Sequence, residues 1–215
     1  MSASPATGSS AGAGARTRLR PDDRRAQLIS LGVAALADRE LDDISFEEFS
    51  ARAGVSRALF SHYFGSRQGF HRAVLEAATE AMLAATQPQP HLPPAARLDD
   101  TLRRTVEFVR GHGGTFSSMV RGTASGDRQT RELVEAARLA QTARVLDVFD
   151  ETGVAVSPAL RIAVRSWIAF VEQTLVDAAL GSDLPTDDIV ALAVDCLAGI
   201  IDRVQPDAAV ALRGS

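Results

Sequence analysis

An all-helical (all-α) fold is what this sequence predicts, with a three-helix helix-turn-helix unit near the N-terminus and a larger helical region behind it. Three observations carry the prediction. From Pro21 onward, apolar residues recur at helical spacing with little strand-like alternation. Ala, Arg and Leu, all good helix formers, are the commonest residues of the chain. The breaks between periodic stretches hold Gly, Pro or a capping Ser, and they fall where helices of ordinary length end. About nine helices result, with no repeat of the kind that builds a solenoid.

Residues 1–20 hold Ala, Gly and Ser followed by arginines, too few apolar groups to bury, and read as a disordered basic tail. The first helix runs from Pro21, whose fixed φ suits a first helical position, to about Ala37, burying Leu28, Ile29, Val33 and Leu36. The acidic stretch ADRELDD ends it. A second helix opens on Ser45-Phe46-Glu47-Glu48, a capping box in which Ser45 and Glu48 satisfy each other's orphan amides, and stops at Gly54. A third starts at the N-cap candidate Ser56 and runs to about Phe64. Gly65-Ser66 breaks the chain again, and a long fourth helix spans about Arg67 to Thr86. The segment QPQPHLPPAA, residues 87–96, carries four prolines and is the clearest linker. Further helices lie near 97–111, 115–124, 128–151, 158–180 and 187–204, with Pro206 stopping the last. The domain division that follows is a helix-turn-helix domain over 21–65 and a second helical domain over 66–206.

At 215 residues the chain can build a sizeable core without a staple. Its single cysteine, Cys196, forms no internal disulfide, and no run approaches a membrane span, so a cytoplasmic protein without membrane contact is expected. All 23 basic residues are arginine, which reads as codon bias. The net charge of −4 argues against uniform coating of nucleic acid, yet it is unevenly spread: residues 1–72 carry ten Arg against eight Asp and Glu, residues 73–215 thirteen against nineteen. A polyanion partner belongs at the N-terminal end.

Ala53-Gly54-Val55-Ser56 supplies what a helix-turn-helix turn needs: a small residue where the helices touch, a residue tolerant of left-handed φ, and a cap for the next helix. Phe49, Phe60 and Phe64 form the apolar seam. The third helix then presents Arg57, Ala58, Ser61, His62 and Tyr63, donors and small groups suited to major-groove edges and phosphates. Upstream, Arg16, Arg18, Arg20, Arg24 and Arg25 make either a minor-groove arm or a solvated basic tail.

The stretch Phe46 to Phe70, FEEFSARAGVSRALFSHYFGSRQGF, resembles the DNA-binding signature of TetR-type (TetR/AcrR-like) transcriptional regulators. The resemblance covers about Asp22 to Met82; beyond that it extends only to helix count and length. It implies that Tyr63 and Arg67 hold phosphates, that Arg57, Ala58 and His62 lie near base edges, and that Ser66 adds a phosphate contact at a helix N-terminus. Ser45, Ser56, Ser61, Arg18 and Arg20 complete the expected DNA-contacting set. Leu59, Ser61 and Arg67 stand where the family commonly has a hydroxyl residue, a tyrosine and a lysine, so no relative's operator transfers to this chain.

Helix eight carries Leu160, Val164, Trp167, Ile168, Val171 and Leu175 on one face and Ile162, Ala169, Phe170 and Val176 on another. Helix nine repeats Ile189, Leu192, Ala193, Cys196, Leu197, Ile200, Ile201 and Val204. The pair forms either a wide internal core or, as the resemblance implies, half of an intersubunit four-helix bundle with Leu175, Ile189, Leu192, Cys196, Leu197, Ile200 and Val204 at the homodimer interface. The resemblance also implies a small-molecule effector, largely apolar, in a pocket lined by Phe108, Phe116, Met119, Phe149, Trp167, Phe170 and Val171; by periodicity alone these are core. Arg110, Arg121, Arg144 and Arg165 read first as surface ion-pair partners and second as anion ligands. Glu172 and Gln173, within an apolar helix, are pocket or interface candidates.

Enzymatic readings find no support. Gly122-Thr123-Ala124-Ser125-Gly126 has its serine one position late for a nucleophile elbow. No phosphate loop, dinucleotide fingerprint or H-E-x-x-H occurs, and the four histidines lack metal-ligand spacing, so neither catalytic residue, metal nor cofactor is expected. Cys196 on an apolar stripe reads as a small core residue before a redox sensor. The function expected is a ligand-responsive, sequence-specific regulator, a repressor released from a palindromic double-stranded DNA operator by a small molecule. The alternative is a helical protein-interaction module that keeps the helix-turn-helix as scaffold.

Overall fold

The computed structural model describes residues 20–35, 46–122, 127–151 and 153–213. Among these every regular element is helical, with no strand: α1 (Pro21–Ala35), α2 (Phe46–Ala53), α3 (Arg57–Phe64), α4 (Arg67–Ala85), α5 (Pro94–Gly111), α6 (Gly113–Gly122), α7 (Arg128–Glu151), α8 (Pro158–Thr174), α9 (Thr186–Val204) and α10 (Pro206–Arg213). The all-helical fold is as expected, but the described residues hold ten helices rather than nine. Pro206 does end α9; it also occupies the first position of α10, where its missing N–H is no loss, and Ala208 and Ala209 bury that turn. The linker prolines act in the same way, so α5 begins at Pro94 instead of 97. The last six residues of the expected eighth helix, Leu175–Leu180, continue α8 in a wider π-turn.

Local sequence explains the ends of the short helices. After α2, Gly54 takes φ 61°, the Gly54 amide donates to the Ala51 carbonyl (3.3 Å) and the Val55 amide to the Ser50 carbonyl (3.1 Å). This is a Schellman motif, completed by burial of Val55. Ser56 then caps α3, its hydroxyl accepting from the Leu59 amide at 3.2 Å. Gly65 (φ 71°) reverses the chain, and Ser66 caps α4 by accepting from the Gly69 amide at 3.0 Å. The expected capping box cannot be placed: Ser45 and the Glu48 side chain lie outside the described residues, as does Leu36.

Among the described residues two apolar cores result. The N-terminal core joins Leu28 of α1, Phe49 of α2, Val55, Phe60 and Phe64 of α3, and Phe70, Ala73 and Val74 of α4. The larger core gathers α5 to α10 around Leu75 and Met82 of α4. The cores therefore part within α4, between Val74 and Leu75, and not at the 65/66 division read from Gly65. The glycine ends a helix but not the packing of the small domain, because the first two turns of α4 roof it. Phe70, absent from the expected seam, is the hub: its ring lies 4.5 Å from Phe49, 4.8 Å from Phe60 and 5.0 Å from Phe64 between centroids. Gly32 lets α1 approach it, since a Cβ there would sit 2.4 Å from Val74 Cγ2 and 2.9 Å from the Phe70 ring.

Candidate nucleic-acid interface and ligand cavity

On α3, Phe60 and Phe64 point inward at i and i+4, leaving Arg57, Ala58, Ser61 and His62 exposed along the outer side. Ser56, Ser66 and Arg67 are exposed at its two ends. Tyr63 is half-buried, its ring against the small core and His62. The structure thus brings Ser56, Arg57, Ala58, Ser61, His62, Ser66 and Arg67 to one solvent-facing strip with Tyr63 at its edge. Ser56 and Ser66 use a lone pair for capping, which leaves each O–H available to donate. Arg67 Nε donates to His71 Nε2 at 3.3 Å, which requires the neutral imidazole.

The arginine run upstream behaves differently from a free arm where it is described. Arg20 pairs with Asp23 (Nε to Oδ2, 3.0 Å), Arg24 donates from Nη2 to the Ala53 carbonyl at the end of α2 (3.1 Å), and Arg25 lies 5.5 Å above the Phe64 ring. Arg24 and Arg25 sit in α1, helical because Pro21 starts it, and clamp the domain. Arg16 and Arg18 lie outside the described residues.

In the C-terminal body a cavity of about 310 Å³ opens among α5, α7, α8 and α9, a volume within the range of small-molecule sites. Of the expected lining, Phe116, Phe149, Trp167 and Val171 face it. Three others do not. Met119 faces a neighbouring void of about 20 Å³, its sulfur accepting from the Thr79 hydroxyl at 3.3 Å. Phe108 stacks on the His112 ring at 4.4 Å, because its position on α5 turns it away from the cavity side. Phe170 is exposed, one turn after Ser166 on the outer side of α8. Sequence reasoning missed Pro88, Pro94 and Leu98, which line the cavity from the linker and the start of α5. Four prolines in ten residues signalled a break, and nothing in them marked an apolar wall.

The charges there are mostly matched. Glu172 lines the cavity and is held by Arg138 through Nε (2.9 and 3.0 Å) and Nη2. The pairing holds the Arg138 guanidinium above its usual range despite partial burial. Arg110 donates to the Thr186 hydroxyl and Leu184 carbonyl, and Arg165 pairs with Glu135, both at the surface. Gln173 is exposed and bonds Asp177. The Arg121 side chain lies outside the described residues.

The expected dimer interface needs correction. Leu175, Ile189 and Leu197 are 3 %, 2 % and 4 % exposed, each turned into the chain's own core by its helical phase. Leu192 is 48 % exposed, with Cys196, Ile200 and Val204 half-buried. The outer side of α8 adds Ile162, 67 % exposed, and Phe170. Among the described residues no group of acidic, His or Cys side chains is placed to hold a metal, and no helix is long and apolar enough to cross a membrane.

Two short helices meeting at a left-handed glycine, with the polar side of the second left to solvent, define a DNA-binding regulator of the helix-turn-helix class. Residues 94–199 match the family described as tetracyclin repressor-like, C-terminal domain. A TetR-family transcriptional regulator from Streptomyces coelicolor is similar in structure, with a TM-score of 0.78 and 29 % identity over 90 % of this chain and 88 % of that one. A transcriptional regulator from Pseudomonas aeruginosa PAO1 (TM-score 0.68, 17 % identity, 93 % and 98 % covered) and a TetR-like regulator from Rhodococcus sp. RHA1 (0.62, 18 %, 84 % and 96 %) share the fold. No curated protein matches the chain. In its C-terminal domain and in its whole fold the chain is similar to the TetR-type family of transcriptional regulators.

Proposed function

We propose that the protein is a homodimeric repressor that reads a near-palindromic operator and is released from it by a small molecule bound in the C-terminal cavity. The observation that carries this reading is α4. It is one 19-residue helix, about 28 Å long at 1.5 Å per residue, whose first turns are packed into the DNA-binding core and whose later turns are packed into the cavity-bearing body. Its N-terminus presents Ser66 and Arg67 beside the recognition helix α3. At its C-terminus, Arg104 donates to the Ala85 carbonyl (2.8 Å) and Arg144, a cavity residue, to the Leu83 carbonyl (2.9 Å). Two cations on the last carbonyls suit the negative end of the helix dipole.

A ligand that binds one arrangement of the C-terminal body better than another shifts α4 by that difference in affinity, and α4 carries the recognition unit with it. Dimerisation through the outer faces of α8 and α9 places two recognition helices on half-sites about one helical turn apart. The test is selection of bound fragments from sheared genomic DNA of the source organism, footprinted at two salt concentrations. A near-palindromic protected site is expected, with affinity falling steeply with salt. Retention of random fragments alone contradicts the reading and favours an interaction module built on the same scaffold.

A further inference from the structure

The cavity wall carries four charged side chains, and three are accounted for. Arg97 is neutralised by Glu151 at 2.7 and 2.9 Å and donates to the Leu92 and Pro90 carbonyls; Glu172 is held by Arg138; Asp202 is engaged in a contact of its own. Arg144 differs. It is half-buried, and among the described residues it has a single partner, the Leu83 carbonyl, and no carboxylate. Burial pushes its guanidinium below the usual range with no acid to offset the shift. The rest of the lining is apolar or neutral, with Thr101 and Thr105 already donating to backbone carbonyls one turn back. An unmatched cation in an apolar wall is unfavourable unless something arrives to meet it.

We propose that the cavity takes an amphipathic anion, an apolar molecule with one carboxylate head seated on Arg144. The inference rests on the reading of this cavity as the effector site and adds the chemical class. A guanidinium presents paired N–H donors in the geometry a carboxylate accepts, whereas a carbonyl occupies only one. Because the one donor in use holds Leu83 at the end of α4, a carboxylate drawing Arg144 into the cavity competes with that cap. Head-group binding and the seating of α4 are thereby linked through one side chain.

The test is calorimetric titration of the full-length protein with octanoate, octanol and octylamine, three probes of equal apolar length and different head charge. Octanoate binds about tenfold tighter than octanol or better, the gain expected of charge-assisted hydrogen bonds, and octylamine binds weakest. Arg144→Gln reduces octanoate to the level of octanol and leaves octanol unchanged, while Arg144→Lys keeps part of the preference. Val148→Trp, which fills the cavity, removes binding of all three. Equal affinity for octanol and octanoate in the wild type, or an octanoate preference that survives Arg144→Gln, overturns the anion while the cavity stands as effector site. No binding by any probe, or binding unaffected by Val148→Trp, overturns both.

Discussion

Val74 and Leu75, consecutive residues of α4, are buried in different cores: Val74 is fully enclosed against α1 and the phenylalanine cluster, and Leu75 is 2 % exposed in the body that holds the cavity. A helix turns 100° per residue, so two neighbours can serve two domains that flank it on adjacent sides. The chain has no hinge loop between its domains at this point. One continuous helix crosses from one to the other, and it is the element through which the proposed mechanism moves the recognition unit.

Truncating these neighbours separates the cores. Val74→Ala loses about 2 kcal/mol and Leu75→Ala about 2–5 kcal/mol of stability. Hydrogen exchange assigns the loss: Val74→Ala raises exchange first in α1 to α3, Leu75→Ala first in α5 to α9. Identical exchange maps for the two variants would show that the domains share a single core.

Much of this was legible in the chain. The turn at Gly54, the cap at Ser56 and the break at Gly65-Ser66 are local, written in the residues that perform them, and occur as the sequence predicts, while the capping of α4 by Ser66 is seen only in the structure. Helix phase was harder. Ile189, Leu192, Cys196 and Ile200 all lie on a broad apolar stripe of α9, and periodicity does not say which edge faces the chain's own core; Ile189 does, Leu192 does not. Phe70 and Pro94 were missed for a related reason. Each lies near a glycine or proline break that reads as a boundary, while its packing partners are distant in sequence.

Gly32 is a close-contact position on a helix, where glycine ordinarily loses stability relative to alanine. Gly32→Ala gains up to about 1 kcal/mol of helix propensity but drives a methyl into Val74, a stiff β-branched side chain, and the Phe70 ring. Overpacking of this kind costs about 1–3 kcal/mol, so urea denaturation shows net destabilisation. A more stable Gly32→Ala protein would mean that α1 and α4 sit further apart than described.

On the proposed reading the exposed strip of α3 divides into positioning and reading groups. Tyr63→Phe and Arg67→Ala weaken binding to operator and random DNA by similar factors, since they remove phosphate contacts and Tyr63→Phe keeps the ring's packing. Arg57→Ala and His62→Ala cost about 1–3 kcal/mol on the operator and relax base preference at the positions they touch. Gel-shift titrations against the selected site and a scrambled one separate the two patterns. Equal losses on both DNAs for all four variants would remove α3 as the reading helix.

On the proposed reading the outer faces of α8 and α9 carry the dimer. Leu192→Glu and Ile162→Glu change side chains that are exposed in the single chain, so each variant keeps its helical circular dichroism while sedimenting as a monomer and losing most operator affinity. A dimer of wild-type strength in both variants would place the interface elsewhere.

The most direct test of a ligand-controlled DNA-binding protein is reciprocal linkage between cavity and operator. Octanoate at saturation is expected to weaken operator binding by about fivefold or more, and saturating operator to weaken octanoate binding by the same factor. Octanoate that occupies the cavity by calorimetry and leaves operator affinity unchanged would contradict the transmission of binding through α4.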